Sequence, residues 1–277
     1  MKKLLYITAV VAMNTLVGSC GLIGEPPSAN DTDSLALDSL VVEELEFTTS
    51  KVTYADSVEE NGVMMYYYID LDVPATGPHQ LVTSVKEWLN QVLGGTYHEE
   101  LKFDDDMLRH YSIQQFDNNS ELATDESMPD FTFTLSATMT ESNEHYVSYN
   151  VEGYDYTGGA HGMPIEYGAT FVKADGRQLG WDMFADTTKL ALLFKQYVTK
   201  YFEVDDPAAI DELIFEDAAR HFPLPQQQPW LEAGGVKFSY TAYEIAPYAV
   251  GRPSGLIPAD KAKKYLTDEA RQLLQAK

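Results

Sequence analysis

The stretch that decides the fold is VMMYYYIDLDV, at residues 63–73. Its β-branched and aromatic residues favour an extended strand, and Pro74 followed by Gly77-Pro78 ends it. Large apolar residues then recur at the spacing of a helix: Leu81, Val85, Trp88, Leu89 and Val92. Gly94-Gly95 stops that pattern, so the sequence predicts a strand over residues 63–73 and a helix over residues 79–93.

Further elements are predicted on both sides of this unit. Strand-like composition or alternation occurs at residues 45–54, 131–140, 145–154, 166–173, 178–181 and 235–245. Helical spacing predicts one helix capped by Asp186 and two others over residues 207–221 and 258–276. The order β-β-α-β-β-β-β-α-α-β-α favours an α+β fold, with a mostly antiparallel sheet and helices packed against it in two intertwined modules.

The N-terminus has the layout of an export signal. Lys2 and Lys3 precede an apolar run that is too short to span a bilayer core of about 30 Å, and small residues follow. Residues 16–20, LVGSC, are similar to the bacterial lipobox, in which the cysteine is acylated and becomes the new N-terminus. Cys20 is the chain's one cysteine, so no internal disulfide can form.

We therefore expect residues 1–19 to be cleaved as a lipoprotein signal peptide. The remaining chain would be attached to a bacterial membrane through lipid on Cys20, which places it in the cell envelope (outer membrane, periplasmic or surface-facing). The residues after Cys20 do not distinguish the inner from the outer membrane.

A flexible tether is predicted between the lipid and the folded region. Residues 21–46 contain seven acids, two adjacent prolines and no Lys or Arg, which is typical of a solvated, self-repelling linker. This assigns residues 20–46 to an acidic tether. Two Asp-Ser-Leu triplets in it, at Ser34 and Ser39, resemble the acceptor site of bacterial O-glycosylation.

The charge of the chain indicates which classes of partner it attracts. There are 43 acidic and 19 basic residues, a formal charge of −24. Cleavage would remove two lysines and no acid, which makes the charge −26. Such a surface repels nucleic acid and attracts basic proteins or cations, although acidity also simply keeps an exported protein soluble.

Motifs of catalysis are absent from the sequence. His98-Glu99-Glu100 lacks the second histidine of a zinc hydrolase, and residues 251–255 have the wrong spacing for a serine nucleophile elbow. The run Phe103-Asp104-Asp105-Asp106 is interpreted as a solvated acidic loop, since no paired metal ligands follow it. We therefore predict no enzyme activity, no metal and no cofactor, with a cryptic cell-wall hydrolase or metal enzyme as the alternative.

The most distinctive segment is YDYTGGAHG, at residues 154–162. Gly158, Gly159 and Gly162 permit unusual backbone angles and close approach of another group, and His161 lies among them. Two interpretations stay open: a tight turn between strands that His161 fixes by a backbone hydrogen bond, or a ligand site.

That segment, together with YTAYEIAPYAVG at residues 240–251 and Ile257-Pro258, resembles a bacterial domain family. The second motif resembles the RsiV-like family, domain of unknown function 3298, and the first resembles the end of the PdaC-like module, domain of unknown function 4163, that usually precedes it. The resemblance divides the chain into a PdaC-like module at residues 47–163 and an RsiV-like module at residues 164–277.

The resemblance implies a binding function. One member is a membrane-anchored anti-sigma factor that binds lysozyme through its exported domain, and another stands beside the catalytic domain of a peptidoglycan deacetylase. No sigma-binding segment, transmembrane helix or deacetylase domain is recognised in this sequence, so we expect only binding to carry over. The expected partner is a basic protein such as lysozyme, or a cell-wall glycan.

The predicted contact surface lies on two loops that combine glycines with aromatic residues. Its residues are Gly158, Gly159, His161, Gly162, Tyr243, Pro247 and Tyr248. A third hypothesis is an accessory envelope lipoprotein that has no soluble ligand.

Overall fold

The computed structural model describes residues 46–274. The predicted signal peptide, Cys20, Ser34, Ser39 and nearly all of the predicted tether lie outside the described residues, and so do residues 275–277. Within the described range, no helix is long and apolar enough to cross a membrane.

The N-terminal half forms a six-stranded sheet with the spatial order β1 to β6. Its elements are β1 (Thr48–Glu60), β2 (Val63–Thr76), α1 (His79–Leu93), α2 (Asp105–Ser120), β3 (Phe131–Ser142), β4 (Tyr146–Tyr156), β5 (Met163–Val172) and β6 (Gln178–Leu179). Neighbouring strands are antiparallel except β2 and β3, which are parallel. A parallel pair needs a long crossover, and α1 and α2 supply it.

The helices cover one face of this sheet. Alternate residues of β2, including Tyr67, Ile69 and Leu71, are buried in one core with Leu81 and Val85 of α1. The opposite residues of β2 point to the other face and remain partly accessible. The alternation in residues 63–73 therefore separates a helix-covered face from an open face.

The C-terminal half adds a second core beside the first. Its elements are α3 (Ala191–Val198), α4 (Glu216–Arg220), β7 (Trp230–Glu232), β8 (Gly235–Ser239), β9 (Ser254–Pro258), α5 (Ala259–Ala262) and α6 (Asp268–Leu273). Strands β7, β8 and β9 form a three-stranded antiparallel sheet. Short 3-10 turns lie at Trp181–Met183, Thr187–Lys189, Pro207–Glu212 and Tyr248–Val250.

The small sheet packs on the open face of the large one, at β5. Gly168 lies under the indole of Trp230, and the Leu231 amide donates to Thr170 Oγ1 at 2.8 Å. Tyr146 and Val172, from strands of the large sheet, are buried in the C-terminal core. The α+β prediction with two intertwined modules is confirmed, because the strands of the first half complete the core of the second.

The three acidic side chains of the run Phe103-Asp104-Asp105-Asp106 are exposed to solvent, as predicted, but the prediction of a loop is wrong, because they begin α2. Asp104 caps α2, since its carboxylate accepts the Met107 amide at 3.1 Å, and Asp105 and Asp106 occupy the first turn. Carboxylates are favourable there because the amides of a first helical turn lack backbone partners. Phe103 just before the cap is buried in the core.

Three predicted elements are shorter or interrupted. Strand 235–245 ends at Ser239, because the Glu244 carboxylate accepts the Thr241 amide and closes a turn. Helix 207–221 breaks where the Phe215 amide donates to the Ile245 carbonyl instead of to its own helix. Helix 258–276 is interrupted because Leu266 bridges to Phe184.

Candidate functional site

The first predicted loop joins β4 to β5 at one end of the large sheet. Gly158 and Gly159 have φ of +91° and +83°, angles that favour glycine. Gly162 lies against Tyr154: a Cβ on Gly162 would be 2.5 Å from Tyr154 Cζ, and the Gly162 amide donates to the Tyr154 hydroxyl at 2.9 Å. These contacts hold His161 at the exposed tip of the loop.

The second predicted loop follows β8. Tyr243 has φ of +67°, a left-handed conformation that is uncommon for a bulky residue. The turn is maintained by Glu244, whose carboxylate accepts from both the amide and the hydroxyl of Thr241. Pro247 is exposed and begins the 3-10 turn that carries Tyr248.

The fold brings the two loops together. The His161 imidazole stacks on the Tyr248 ring, with centroids 3.5 Å apart and planes 10° apart. The Tyr243 hydroxyl lies 3.1 Å from His161 Nε2, and the Tyr243 and Tyr248 rings are 5.7 Å apart. We refer to His161, Tyr243 and Tyr248 as the aromatic cluster.

The other predicted residues are near the cluster but do not join it. A Cβ on Gly158 would be nearest to Met128 Cε, at 3.2 Å, and to Phe131, at 3.5 Å, and not to the aromatic cluster. The Gly159 carbonyl accepts from the Tyr156 hydroxyl at 3.1 Å. Their role is therefore to shape the turn, while Pro247 precedes Tyr248 at the surface.

The chemistry of the aromatic cluster suits contact with a ligand. His161 Nδ1 lies 3.2 Å from the Gly162 carbonyl oxygen and Nε2 lies near the Tyr243 hydroxyl, so both ring nitrogens have partners. Tyr243 is 49% exposed. Over residues 46–274, no three His, Cys, Asp or Glu side chains are grouped to hold a metal ion.

Sequence reasoning missed a charged group beside the second loop. Glu166 on β5 lies 3.6 Å from Arg252 Nη1 and 3.5 Å from Lys237 Nζ, and all three side chains are largely buried. It also missed the exposed tyrosines of the sheet's open face, among them Tyr68. The two-residue period of β2 contained that signal, because Tyr66, Tyr68 and Asp70 must share a face.

Comparisons with known proteins agree with this architecture. Residues 66–164 match the family model described as deacetylase PdaC, and residues 182–260 match that of a protein family of unknown function, DUF3298. The recognition of these two modules, in this order, is confirmed. No curated protein matches the chain.

Two solved structures have the same fold. A DUF3298 family member from Bacteroides fragilis has 18% identity and a TM-score of 0.66, covering 83% of this chain and 96% of its own. A second, from Pseudomonas aeruginosa, has 18% identity and a TM-score of 0.56, covering 81% of this chain and 96% of its own.

Proposed function

We propose that this protein is a lipid-anchored binding protein of the cell envelope. Its first part matches PdaC and its second part matches DUF3298. Its ligand would be a protein or a glycan, and the first candidate is a basic protein such as lysozyme or another cell-wall hydrolase. The contact surface would be the aromatic cluster with its two loops.

The observation that carries this proposal is the exposed and preorganised aromatic cluster. Tyr and other aromatic side chains contribute much of the binding free energy at interfaces, because they bury a large area and lose little rotational freedom. Here His161 holds Tyr243 by a hydrogen bond and Tyr248 by stacking. Binding would therefore need little ordering of these side chains.

Charge supports a basic partner. The chain has 43 acidic and 19 basic residues. This excess of acidic residues generates a negative field that steers cationic proteins toward the surface. Surface attraction of this kind is screened within about 8 Å at physiological ionic strength. Binding of a basic protein should therefore weaken as salt is raised.

Retention of lysozyme by the purified, immobilised full chain tests the partner. We expect retention at low salt that falls at high salt, and a loss of about tenfold or more in affinity for Tyr248→Ala, a change of roughly 1.4 kcal/mol. Phe215→Ala is the matched control, because Phe215 is an exposed aromatic residue outside the cluster. Absence of retention at low salt would eliminate lysozyme as the ligand.

The lipid anchor needs a separate experiment. Intact mass measurement of the chain from bacterial membranes should show cleavage before Cys20 and added acyl chains. Cys20→Ser should abolish both and release the protein from the membrane fraction. Recovery of the unmodified natural chain in the soluble fraction would contradict the anchor and leave the question of lysozyme binding open.

A further inference from the structure

The open face of the large sheet contains a groove whose lining residues do not include those of the aromatic cluster. On this face the register aligns Tyr68 of β2, Thr134 of β3 and Tyr154 of β4 across three adjacent strands. The next aligned set, toward the β4–β5 loop, is Tyr66, Thr132 and Tyr156. Tyrosines on β2 and β4 therefore flank a strip of small hydroxyl side chains on β3.

The tyrosines form two ordered pairs. The rings of Tyr66 and Tyr68 are stacked, with centroids 6.1 Å apart and planes 14° apart. Tyr154 and Tyr156 repeat the arrangement at 6.5 Å and 17°. Neighbouring strands in a sheet lie about 4.7–4.9 Å apart. Because β3 lies between them, β2 and β4 are about 10 Å apart. We call the space between the Tyr66–Tyr68 pair and the Tyr154–Tyr156 pair the tyrosine groove.

Polar groups close one end of the tyrosine groove. Asp70, Ser136 and Glu152 are aligned there, and Arg252 reaches in from the C-terminal half. The space that these residues line with Tyr68 and Tyr154 has a volume of about 650 Å³. It is open to solvent, since Tyr68 is 44% exposed and Tyr154 is 38% exposed.

Arg252 brings a positive charge to this space. Its Nη1 atom is shielded from solvent and makes no hydrogen bond to any of the described residues. The closest carboxylate oxygen, Glu166 Oε2, is 3.6 Å away. The rest of the Arg252 side chain lines the space and is partly exposed, so it is this part that a ligand oxygen can approach. Asp70 already pairs with Lys51 Nζ at 2.8 Å.

The groove's chemistry excludes several classes of occupant. An extended peptide cannot add to the sheet here, because β2, β3 and β4 are each paired on both sides. Nucleic acid and other polyanions are repelled by Asp70 and Glu152. A lipid chain or an apolar helix would bury the Thr134 hydroxyl without a hydrogen bond and would desolvate the carboxylates of Asp70 and Glu152.

We propose that the tyrosine groove binds a neutral oligosaccharide. Sugar rings present C–H groups of partial positive charge, which suit the negative faces of tyrosine rings, and their hydroxyls suit Thr134 and Ser136. Arg252 would donate to a hydroxyl or amide oxygen of the sugar. This site rests on the glycan alternative of the proposed function. It adjoins the first loop, whose Gly162 amide donates to the Tyr154 hydroxyl, but it does not require binding of lysozyme.

Titration of the purified full chain with chitotetraose, followed by calorimetry, tests the proposal. We expect saturable binding that Tyr68→Ala and Arg252→Gln each weaken about tenfold. Tyr68→Phe should stay within about threefold of the natural chain, because stacking needs the ring and not the hydroxyl. Phe215→Ala should bind normally, and sulfated heparin tetrasaccharide should not bind.

The proposal is overturned if chitotetraose does not bind at millimolar concentration, or if Tyr68→Ala and Arg252→Gln bind it as well as the natural chain. Preference for the sulfated probe would also overturn it. Retention of lysozyme by the same variants is measured in parallel. If Tyr68→Ala abolished that retention and no sugar bound, the groove would instead belong to a protein contact.

Discussion

Tyr243 has a strained backbone conformation, although its side chain makes favourable contacts. A left-handed conformation costs a non-glycine residue roughly 1–2 kcal/mol, and φ at Tyr243 is +67°. The segment nevertheless presents its ring to His161 at the surface. Local strain retained at an exposed aromatic residue is consistent with a role in binding rather than in stability.

Replacing Tyr243 with glycine should separate these two roles. Tyr243→Gly removes the strain and the exposed ring, so we expect the free energy of unfolding to stay within about 1 kcal/mol or rise, while lysozyme retention falls. Urea denaturation and the retention assay measure the two effects. Tyr243→Phe keeps the ring and the strain and loses only the hydrogen bond to His161, so it measures the contribution of the hydroxyl separately. A large loss of stability with normal retention would assign Tyr243 a structural role.

Asp155 is a partly buried carboxylic acid on the helix-covered side of β4. Its Oδ1 atom has no hydrogen-bond partner within the described range, and burial raises the pKa of the Asp155 carboxyl above 3.8. A raised pKa means that the folded state prefers the protonated form. The stabilisation is complete below pH 3.8 and is lost as the pH rises through the pKa of the folded state.

Asp155→Asn should therefore increase the free energy of unfolding at pH 7, because the amide stays neutral. The gain should vanish near pH 3, where the natural carboxyl is protonated in both states. Urea denaturation at the two pH values tests this, with the exposed Asp205→Asn as control. An equal effect of Asp155→Asn at both pH values would contradict the assigned cause.

At the scale of the element, α2 depends on its first residues. Asp104→Ala removes the carboxylate that accepts the Met107 amide and should lower the free energy of unfolding by about 1 kcal/mol. Asp106→Ala, in the first turn, loses only its interaction with the helix dipole and should have a smaller effect. Urea denaturation compares them, and equal losses would mean that Asp104 contributes only as a charge.

Helices α1 and α2 show which elements can be predicted from local sequence. For α1 the apolar spacing, Pro78 and Gly94-Gly95 predicted residues 79–93, and the structure has His79–Leu93. For α2 the apolar residues are fewer and are mixed with polar ones over most of its length. Its clear signal was the cap at Asp104, and a single cap does not distinguish a helix from an acidic loop.

At the scale of the whole molecule, the contact between Gly168 and Trp230 joins the two sheets. A Cβ on Gly168 would lie 2.4 Å from the nearest atom of the indole, and Trp230 is fully buried. Gly168→Ala should therefore lower the free energy of unfolding by about 1–3 kcal/mol, measured in urea.

The double variant Gly168→Ala with Trp230→Leu is the control for that prediction. Trp230→Leu alone is destabilising because it leaves a cavity, but the added methyl would then fill part of that space. The two losses should be less than additive. Full additivity would show that the steric contact between Gly168 and Trp230 is not the cause.

The sequence by itself determined the class of fold, the order of the modules and the two loops of the candidate site. These follow from local properties: the period of apolar residues, the turn residues and two motifs. The Asn61-Gly62 turn, with φ of +52° and +83°, forms the hairpin of β1 and β2, and this local signal was not recognised from the sequence.

Only the tertiary structure decided what those residues contact. His161 and Tyr243 are 82 residues apart in sequence, and Arg252 and Asp70 line the same space only because the small sheet packs on one face of the large one. The burial of the two cores determines which face of the large sheet is covered and which loop covers it. No local sequence pattern determines this. The tyrosine groove arises from the register of three strands, which long-range pairing sets.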